Sequence, residues 1–167
     1  MMTPTNLNNK DPLLPDQFKN LISSYASGKR LGASIKDIQP YLNGDEAETV
    51  SHWLTDEEKE QLNRYSFEKR RNEWLSGRIC AKQSVLDLAK ENGASTVHPH
   101  DFSIKATDNG RPFIQFTSPV DSARSIEVSI SHSHGKAVGL ASEEYCGVDV
   151  QLLNNTLFKV RDRFCTD

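Results

Sequence analysis

The stretch SFEKRRNEWLSGRICAKQSVLDLAKE, residues 66–91, decides the fold. It contains no proline and a single glycine, Gly77, and it is followed by Asn92-Gly93, a typical helix end. Its apolar residues recur with a helical period, so one side of the predicted helix should face a core. The stretch therefore predicts one long helix that packs against the rest of the chain.

Downstream of this helix the apolar period changes from helical to alternating. Five short β-rich segments begin at Asp101 and are separated by turn signals: FSIKA, RPFIQF, SIEVSIS, KAVGLAS and CGVDVQ. The last three lie close together, which predicts an antiparallel meander, and the later segment NTLFKVRDRF has a helical pattern. The sequence thus predicts an α+β fold in which a long helix packs on an antiparallel sheet.

Upstream of the helix the signals are weaker. In LTDEEKEQL, Thr55 followed by Glu58 is a capping box that predicts the start of a helix. Before it, DQFKNLISSYAS indicates an amphipathic helix and ASIKDI a short strand. The opening MMTPTNLNNKDPLLPDQ holds three prolines and has no sustained period, which predicts a disordered leader over residues 1–14.

Composition limits the class of protein. A length of 167 residues fits one domain, and a net charge of −3 argues against general nucleic-acid binding. No apolar run is long enough for a transmembrane helix, and the first residues lack a signal-peptide pattern. Three widely spaced cysteines make no disulfide framework. We therefore expect a cytoplasmic protein with no membrane or nucleic-acid partner.

Basic residues interrupt the apolar side of the long helix. At about 100° per residue, Arg71, Arg78 and Lys82 lie within roughly 20° of one another, whereas Lys69 and Arg70 should point to solvent. A cation on the buried side is costly unless it is paired. Two interpretations stay open: the side chains extend along the core edge or pair with acids of the same domain, or they line a cleft that binds phosphates.

The segment DNGRPFI is a second candidate. Asp108-Asn109-Gly110 is a turn signal, and Pro112 fixes the backbone while Phe113 anchors the following strand. Arg111 would then be presented from a rigid corner. By itself the segment fits a plain hairpin turn with a solvent arginine better.

The segment GVDVQ is a third candidate. Alternation places Asp149 on one face with Gln151, opposite Val148 and Val150. That pattern allows Asp149 and Gln151 to lie harmlessly in solvent. A strand carboxylate is also a common ligand of a hard cation such as Mg²⁺.

The segment SISHSHG, residues 129–135, crowds hydroxyls and imidazoles at a strand end. The two histidines, with those of HPH at residues 98–100, lack the cysteine spacing or helical His-x-x-x-His that would indicate zinc. A histidine beside hydroxyls and near a cation-rich helix suits a phosphate better.

Taken in order, RRNEWLSGRICAK, NGRPFI, SISHSHGKAVGLAS and GVDVQ resemble the 4'-phosphopantetheinyl transferase superfamily. The resemblance is closest to its surfactin- and enterobactin-synthetase-activating type, which is monomeric and pseudo-twofold, and it covers about residues 54–164. It implies the N-terminal half of that pseudo-dimer fold. It also implies a cytoplasmic, Mg²⁺-dependent enzyme that transfers the phosphopantetheine arm of coenzyme A to a serine of an acyl or peptidyl carrier protein, in secondary metabolite or siderophore biosynthesis.

The resemblance also implies roles for single residues. The metal ligand would be Asp149, with Gln151 standing where many members have a glutamate and offering only a neutral oxygen. The residues that would bind coenzyme A are Arg71, Arg78, Lys82, Arg111, Pro112, Ser131 and His132.

Members of this type have a second half with a Trp-x-x-Lys-Glu motif, which supplies another metal ligand and often the base. The sequence has no such motif after Asp149. We therefore expect a truncated enzyme, with the first half-domain at residues 54–167 and the second half absent. A leader at residues 1–14 and a helix and strand extension at 15–53 would precede that half-domain. Transfer should be impaired unless a homodimer rebuilds the cleft; the alternative is an inactive half-domain that binds coenzyme A, nucleotide or carrier protein.

Overall fold

The computed structural model describes residues 15–26, 28–38, 45–93, 96–117 and 126–152. Four helices precede most of the sheet: α1 (Pro15–Tyr25), α2 (Asp45–Trp53), α3 (Asp56–Asn63) and α4 (Glu68–Glu91). A 3₁₀ turn at Pro99–Asp101 leads into the strands. These are β1 (Leu31–Asp37), between α1 and α2, and then β2 (Phe102–Ala106), β3 (Pro112–Phe116), β4 (Glu127–Ser133) and β5 (Lys136–Ser142).

The five strands form one antiparallel sheet in the order β1-β5-β4-β3-β2. β1 pairs with β5 along its whole length, from Leu31 opposite Ser142 to Asp37 opposite Lys136. The first half of the chain therefore completes the sheet built by the second. The predicted α+β fold, a long helix on an antiparallel sheet, is confirmed.

Helix α4 lies against one face of this sheet at very short range. A Cβ added at Gly139 of β5 would lie 2.5 Å from the carbonyl carbon and oxygen of Cys80, and one at Gly32 of β1 would lie 1.7 Å from the carbonyl oxygen of Ser84. Since only glycine lacks a Cβ, these two positions let helix and strand backbones touch. The core between them is the cluster Ala81, Val85, Leu88, Phe102, Ile104, Val128 and Ala141.

The other face of the sheet, called the outer face below, carries a second core. Phe18 of α1 packs there on Ala33, Ile35, Val138 and Leu140 of β1 and β5. The segment after β5 covers the same cluster with Val148 and Val150. A third cluster of Leu54, Leu62, Leu75 and Ile79 joins α2, α3 and α4.

The segment CGVDVQ differs from the prediction of a third meander strand. β4 and β5 form the hairpin, but residues 145–152 are not a strand. They follow the outer face of β4, where Val148 N–H donates to Ser129 Oγ at 3.1 Å and Val150 N–H to Ser131 Oγ at 3.1 Å. Serine hydroxyls thus take the place of ladder carbonyls.

The capping box and the alternating residues after β5 have the predicted arrangement. Thr55 and Glu58 form the predicted capping box at the start of α3. Val148 and Val150 are half-buried and Asp149 and Gln151 exposed, as alternation predicted. The leader at residues 1–14 and the helical pattern NTLFKVRDRF lie outside the described residues. Within the described ranges, no helix combines the length and apolar character needed to cross a membrane.

Candidate functional site

Lys82, one of the three predicted helix cations, is fully buried and paired inside the protein. Its Nζ lies 2.6 Å from Glu58 Oε2 and donates to the carbonyl oxygens of Pro99 and Phe102 at 2.7 and 2.8 Å. Burial lowers the pKa of this lysine, and the Glu58 carboxylate opposes that shift. An ammonium has three hydrogens, and all three have partners here. The geometry matches the paired interpretation, and Lys82 has no donor left for a ligand.

Glu58, the capping-box acid, has a role that its sequence context does not reveal. Its Oε2 accepts from Thr55 N–H at 3.0 Å, while Oε1 accepts from Ile104 N–H on β2 at 2.9 Å. Thr55 Oγ1 and Ser103 Oγ are 2.8 Å apart. One carboxylate therefore caps α3, neutralises Lys82 and holds β2, the strand at the edge of the sheet. The cap was visible in the sequence, but its tertiary partners were not.

Arg71 is also engaged within the protein. Its Nε donates to Glu46 Oε1 at 2.7 Å, and Nη1 donates to the carbonyl oxygen of Leu62 at 2.9 Å. The side chain thereby joins α2, the end of α3 and α4. A ligand phosphate could use Arg71 only by displacing Glu46.

Arg78 differs from its two neighbours. Its side chain is buried, with 8% of the residue exposed, and its guanidinium carbon lies 4.8 Å from the centre of the Trp74 ring. Burial lowers the pKa of Arg78, and the charge of Glu58 opposes this. Its Nε is one of two buried side-chain polar atoms in the described structure that lack a hydrogen-bond partner, the other being Ser76 Oγ. Of the three helix cations, Arg78 alone keeps a buried donor unused.

The remaining predicted residues lie on β4 or beside it. Phe113 pairs with Glu127, the first residue of β4, and Arg111 is paired with the same glutamate. The β4–β5 turn, His134 and Gly135 with φ of 46° and 79°, lies at the other end of β4, next to Ser131 and His132. The beginning of α4 reaches this end too, because its first residues face the β4–β5 hairpin across a groove. We call this region the site end of the sheet.

Alternation along β4 divides the site end between two faces. Val128 packs in the core beneath α4, and the side chain of Ile130 lies 3.1 Å from a Cβ placed at Gly77 of α4, so His132 belongs to the helix face. Ser131 points to the outer face, where its Oγ donates to Asp149 Oδ1 at 2.7 Å. The neighbouring residues Ser131 and His132 thus serve opposite faces of one strand.

Arg111 lies on the outer face. Its Nη2 is paired with Glu127, and its guanidinium carbon lies 5.2 Å from the centre of the Tyr145 ring. The arginine side chain is 52% exposed. Pro112 follows as the first residue of β3 and pairs with Ala106. Arg111, Ser131 and Asp149 therefore share the outer face of the sheet.

On the helix face the site end forms an open groove of about 930 Å³. Lys69 and Arg70 are exposed, as predicted, and lie 4.0 and 3.6 Å from Glu73. The sequence alone suggested no role for Lys69 or Arg70, because a helical wheel does not show that the β4–β5 hairpin faces the start of α4. The groove is lined by Phe67, Lys69, Arg70, Glu73, His132, Ser133, His134 and Gly135.

Asp149 and Gln151, the predicted metal ligands, are both exposed on the outer face. Ser131 donates to Oδ1 of Asp149, and Oδ2 makes no hydrogen bond with the described residues. Within the part of the chain that the structure describes, no three His, Cys, Asp or Glu side chains gather as a metal cluster. The donor set is therefore one carboxylate and one amide oxygen. That set suits a hard cation that takes its other ligands from a substrate and water.

Known proteins resemble this chain in sequence. Residues 42–145 match the family model described as 4'-phosphopantetheinyl transferase, N-terminal. The holo-[acyl-carrier-protein] synthase of Anoxybacillus flavithermus is 38% identical over 89 residues, 53% of this chain and 71% of that protein. The enzyme of the same name from Lactococcus lactis is 34% identical over 90 residues, 53% of this chain and 72% of that protein.

Solved structures share the fold. The holo-ACP synthase of Plasmodium yoelii superimposes with a TM-score of 0.54 at 17% identity, covering 66% of this chain and 90% of that chain. The holo-(acyl-carrier-protein) synthase of Bacillus anthracis, solved in complex with CoA (3',5'-ADP), gives a TM-score of 0.51 at 21% identity, covering 66% and 91%. At these identities the likeness establishes the fold alone.

Proposed function

Because the chain belongs to the 4'-phosphopantetheinyl transferase family, we propose that it transfers the phosphopantetheine arm of coenzyme A to a serine of an acyl or peptidyl carrier protein. By family it is a transferase of the holo-[acyl-carrier-protein] synthase type. The observation that supports the proposal is that Ser131, His132 and Asp149 lie close to the β4–β5 turn, with Arg111 further along the outer face that Ser131 and Asp149 share. Coenzyme A is a dense anion, and this region gathers cations, an imidazole and a carboxylate.

The two faces of β4 supply different parts of the proposed site. On the outer face Arg111 binds phosphate oxygens by exchanging Glu127 for the ligand, as a guanidinium matches phosphate geometry. On the helix face His132 donates to another phosphate from within the groove. Within the described residues β3 pairs with β4 at Glu127 alone, and we propose that the ligand crosses the unpaired part of this edge from one face to the other.

Mg²⁺ is part of the proposal, with Asp149 as its protein ligand. The exposed carboxylate with one oxygen unused fits a cation bound mainly by substrate phosphates, and Gln151 adds an amide oxygen. Bound there, the ion would neutralise charge on the pyrophosphate. Ser131 holds the carboxylate in place through the bond to Oδ1, and Val150 N–H in turn orients Ser131.

The reaction needs alignment more than covalent participation by the protein. The carrier serine oxygen attacks the phosphorus that bears the pantetheine arm, and the bond from that phosphorus to the bridging oxygen breaks. 3',5'-ADP leaves with the electron pair, and the serine proton passes to a base. We assign no described residue to the base.

The helix cations have unequal places in this proposal. Arg78 keeps an unused donor and so stays a candidate phosphate ligand. Arg71 contributes by holding α2 and α3 to α4, with a phosphate role only if Glu46 is displaced. Lys82 stabilises the fold through Glu58. Pro112 fixes the corner from which Arg111 extends.

Organisation and setting belong to the same proposal. A homodimer that places two site ends against each other would enlarge the coenzyme A cleft, and we propose cytoplasmic action in secondary metabolite or siderophore biosynthesis. Residues 15–53 and 54–167 stay the proposed extension and half-domain, with β1 of the former built into the sheet. The surfactin- and enterobactin-synthetase-activating subtype stays a prediction.

Transfer can be tested directly. The full chain is incubated with coenzyme A, Mg²⁺ and an apo carrier protein, and the carrier is followed by mass spectrometry for one added phosphopantetheine. Asp149→Asn, Arg111→Ala and His132→Ala should each lower the rate about tenfold or more. Lys90→Ala, at the opposite end of α4, should not. Unchanged rates in all three site variants would place the chemistry elsewhere.

One observation favours a second candidate, a half-domain that binds coenzyme A or carrier protein without transfer. The described residues offer a single carboxylate, Asp149, at the proposed metal position, with neutral Gln151 beside it. Binding of 3',5'-ADP by a chain that shows no transfer at any protein concentration would support this candidate. Activity that rises more steeply than protein concentration would instead support a homodimeric enzyme.

A further inference from the structure

Tyr145 is the most exposed of the large hydrophobic side chains in the described structure, with 85% of the residue accessible. Its hydroxyl makes no hydrogen bond with the described residues, and its ring belongs to no core cluster. An aromatic ring usually buries much of its area. Neither packing nor hydrogen bonding within the described fold therefore accounts for a tyrosine at this position.

The backbone beneath this ring is fixed although the ring itself is open. The thiol of the next residue, Cys146, donates to the carbonyl oxygen of Glu127 at 3.6 Å. Three residues after Tyr145, Val148 is fastened to β4 through Ser129. The segment thus presents the ring from a defined place on the outer face and leaves one of its faces free.

The neighbours of Tyr145 connect it to the proposed substrate. The Arg111 guanidinium carbon lies 5.2 Å from the centre of the ring, a cation–π contact. The same arginine is paired with Glu127, opposite which Phe113 adds a second partly exposed ring, 38% accessible. Aromatic surface and a phosphate-binding cation therefore lie side by side.

We propose that Tyr145 is the surface on which the purine base of coenzyme A stacks. The inference rests on the proposed function and extends it to a residue that sets specificity for the nucleotide. Coenzyme A carries its base and phosphates on one ribose, so a ring next to a phosphate-binding arginine is within reach of the base. An aromatic side chain offers a π-face to a base without needing hydrogen bonds.

Phe67 is the strongest competitor for this role. It is 79% exposed and lines the groove on the helix face with Lys69 and Arg70. Both of those cations lie near Glu73 instead of the ring, and the described structure records no cation–π contact to Phe67. The contact between Tyr145 and Arg111 is the observation that decides for Tyr145.

The experiment compares two probes, 3',5'-ADP and inorganic pyrophosphate, by calorimetric titration of the full chain with Mg²⁺. Tyr145→Ala should weaken 3',5'-ADP binding by about 5- to 100-fold and leave pyrophosphate binding within about twofold. Tyr145→Phe should retain the affinity and Tyr145→Leu should lose it. Leu21→Ala, a truncation of an exposed apolar side chain on α1, is the matched control and should change neither value.

Each contrary result has its own meaning. If Arg111→Ala weakens binding of 3',5'-ADP and Tyr145→Ala does not, stacking is wrong and the proposed function stands. If Tyr145→Ala weakens both probes equally, the ring serves only to hold Arg111, and base stacking is overturned. If Phe67→Ala shows the selective loss instead, the base lies in the groove. If the wild-type chain binds neither probe, the proposed function and this inference both fail.

Discussion

Lys82 lies on the same side of α4 as the arginines predicted to bind phosphates, yet its ammonium never reaches solvent. Its pairing with Glu58 and two carbonyl oxygens turns a sequence anomaly into a structural contact. A buried pair of this kind adds little stability compared with apolar residues, but removal of one partner is costly because the other charge is stranded.

Glu58→Gln tests this contact. The variant leaves the buried ammonium without its counter-charge, and we expect a loss of about 3–5 kcal/mol in the free energy of unfolding, measured by urea denaturation. Glu57→Gln is the matched control, since Glu57 is exposed and its pair with Lys105 is at the surface; it should change the value by no more than about 0.5 kcal/mol. Equal effects of the two changes would contradict the buried pair.

Cys80 gives a prediction for pH dependence. Burial raises the pKa of its thiol from 9.0 to about 11, and the thiol donates to the Ala137 carbonyl oxygen. Because the folded pKa is the higher one, the neutral thiol favours the folded state. Its contribution is complete below pH 9 and is lost as the pH rises from about 9 to 11.

The measurement is the difference between wild type and Cys80→Ala. The wild-type free energy of unfolding should fall more steeply than that of the variant over this range, by about 1–3 kcal/mol. Parallel curves would mean that the thiolate is not penalised in the folded state. The comparison of slopes removes the constant cost of the lost side chain.

Elements α4, β1 and β5 are held together by backbone contact at glycines. Gly139→Ala puts a methyl group 2.5 Å from backbone atoms of Cys80, which cannot turn aside as a flexible side chain would. We expect the variant to lose about 3 kcal/mol or more, measured by thermal or urea unfolding. Gly147→Ala is the matched control, because nothing lies within 4 Å of its added methyl group. A stable Gly139→Ala protein would show that α4 can move away from β5.

The elements were largely predictable, since period and end signals are local. The change from helical to alternating period, the capping box at Thr55 and the Asn92-Gly93 stop predicted α3, α4 and the strands from β2 to β5. Alternation also predicted which side of residues 147–151 faces inward. It could not separate a strand from an extended segment held by Ser129 and Ser131, because both show the same period.

Contacts between distant parts of the chain were the harder part. The partner of Lys82 was a helix cap 24 residues earlier, and Arg71 found Glu46 in a helix that no sequence signal had indicated. The convergence of the four sequence motifs on one site stays a prediction. The division of Ser131 and His132 between two faces follows from alternation once the register of β4 on α4 is known.

The whole molecule depends on β1 more than the family match suggests. That match begins at residue 42, after β1, yet β1 is one of five strands and pairs with β5 over seven residues. Without it the outer core would lose Ala33 and Ile35 and would expose Val138 and Leu140.

A chain that begins at residue 45 should therefore lose cooperative unfolding, followed by circular dichroism in urea. A point variant tests the contribution of β1 without shortening the chain. Ile35→Lys, in the outer core, should destabilise the full chain by about 3 kcal/mol or more, and Lys36→Glu, at its exposed neighbour, should not. If the shortened chain unfolds cooperatively at the wild-type midpoint, residues 15–38 are an accessory after all.

The serine hydroxyls that hold residues 148–150 to β4 have a consequence for how this protein can diversify. Main-chain hydrogen bonds can form with almost any sequence, whereas a side-chain hydroxyl is lost when that one residue is substituted. Substitution of Ser129 or Ser131 during evolution could therefore move the Asp149 carboxylate, while β4 and β5 keep their register.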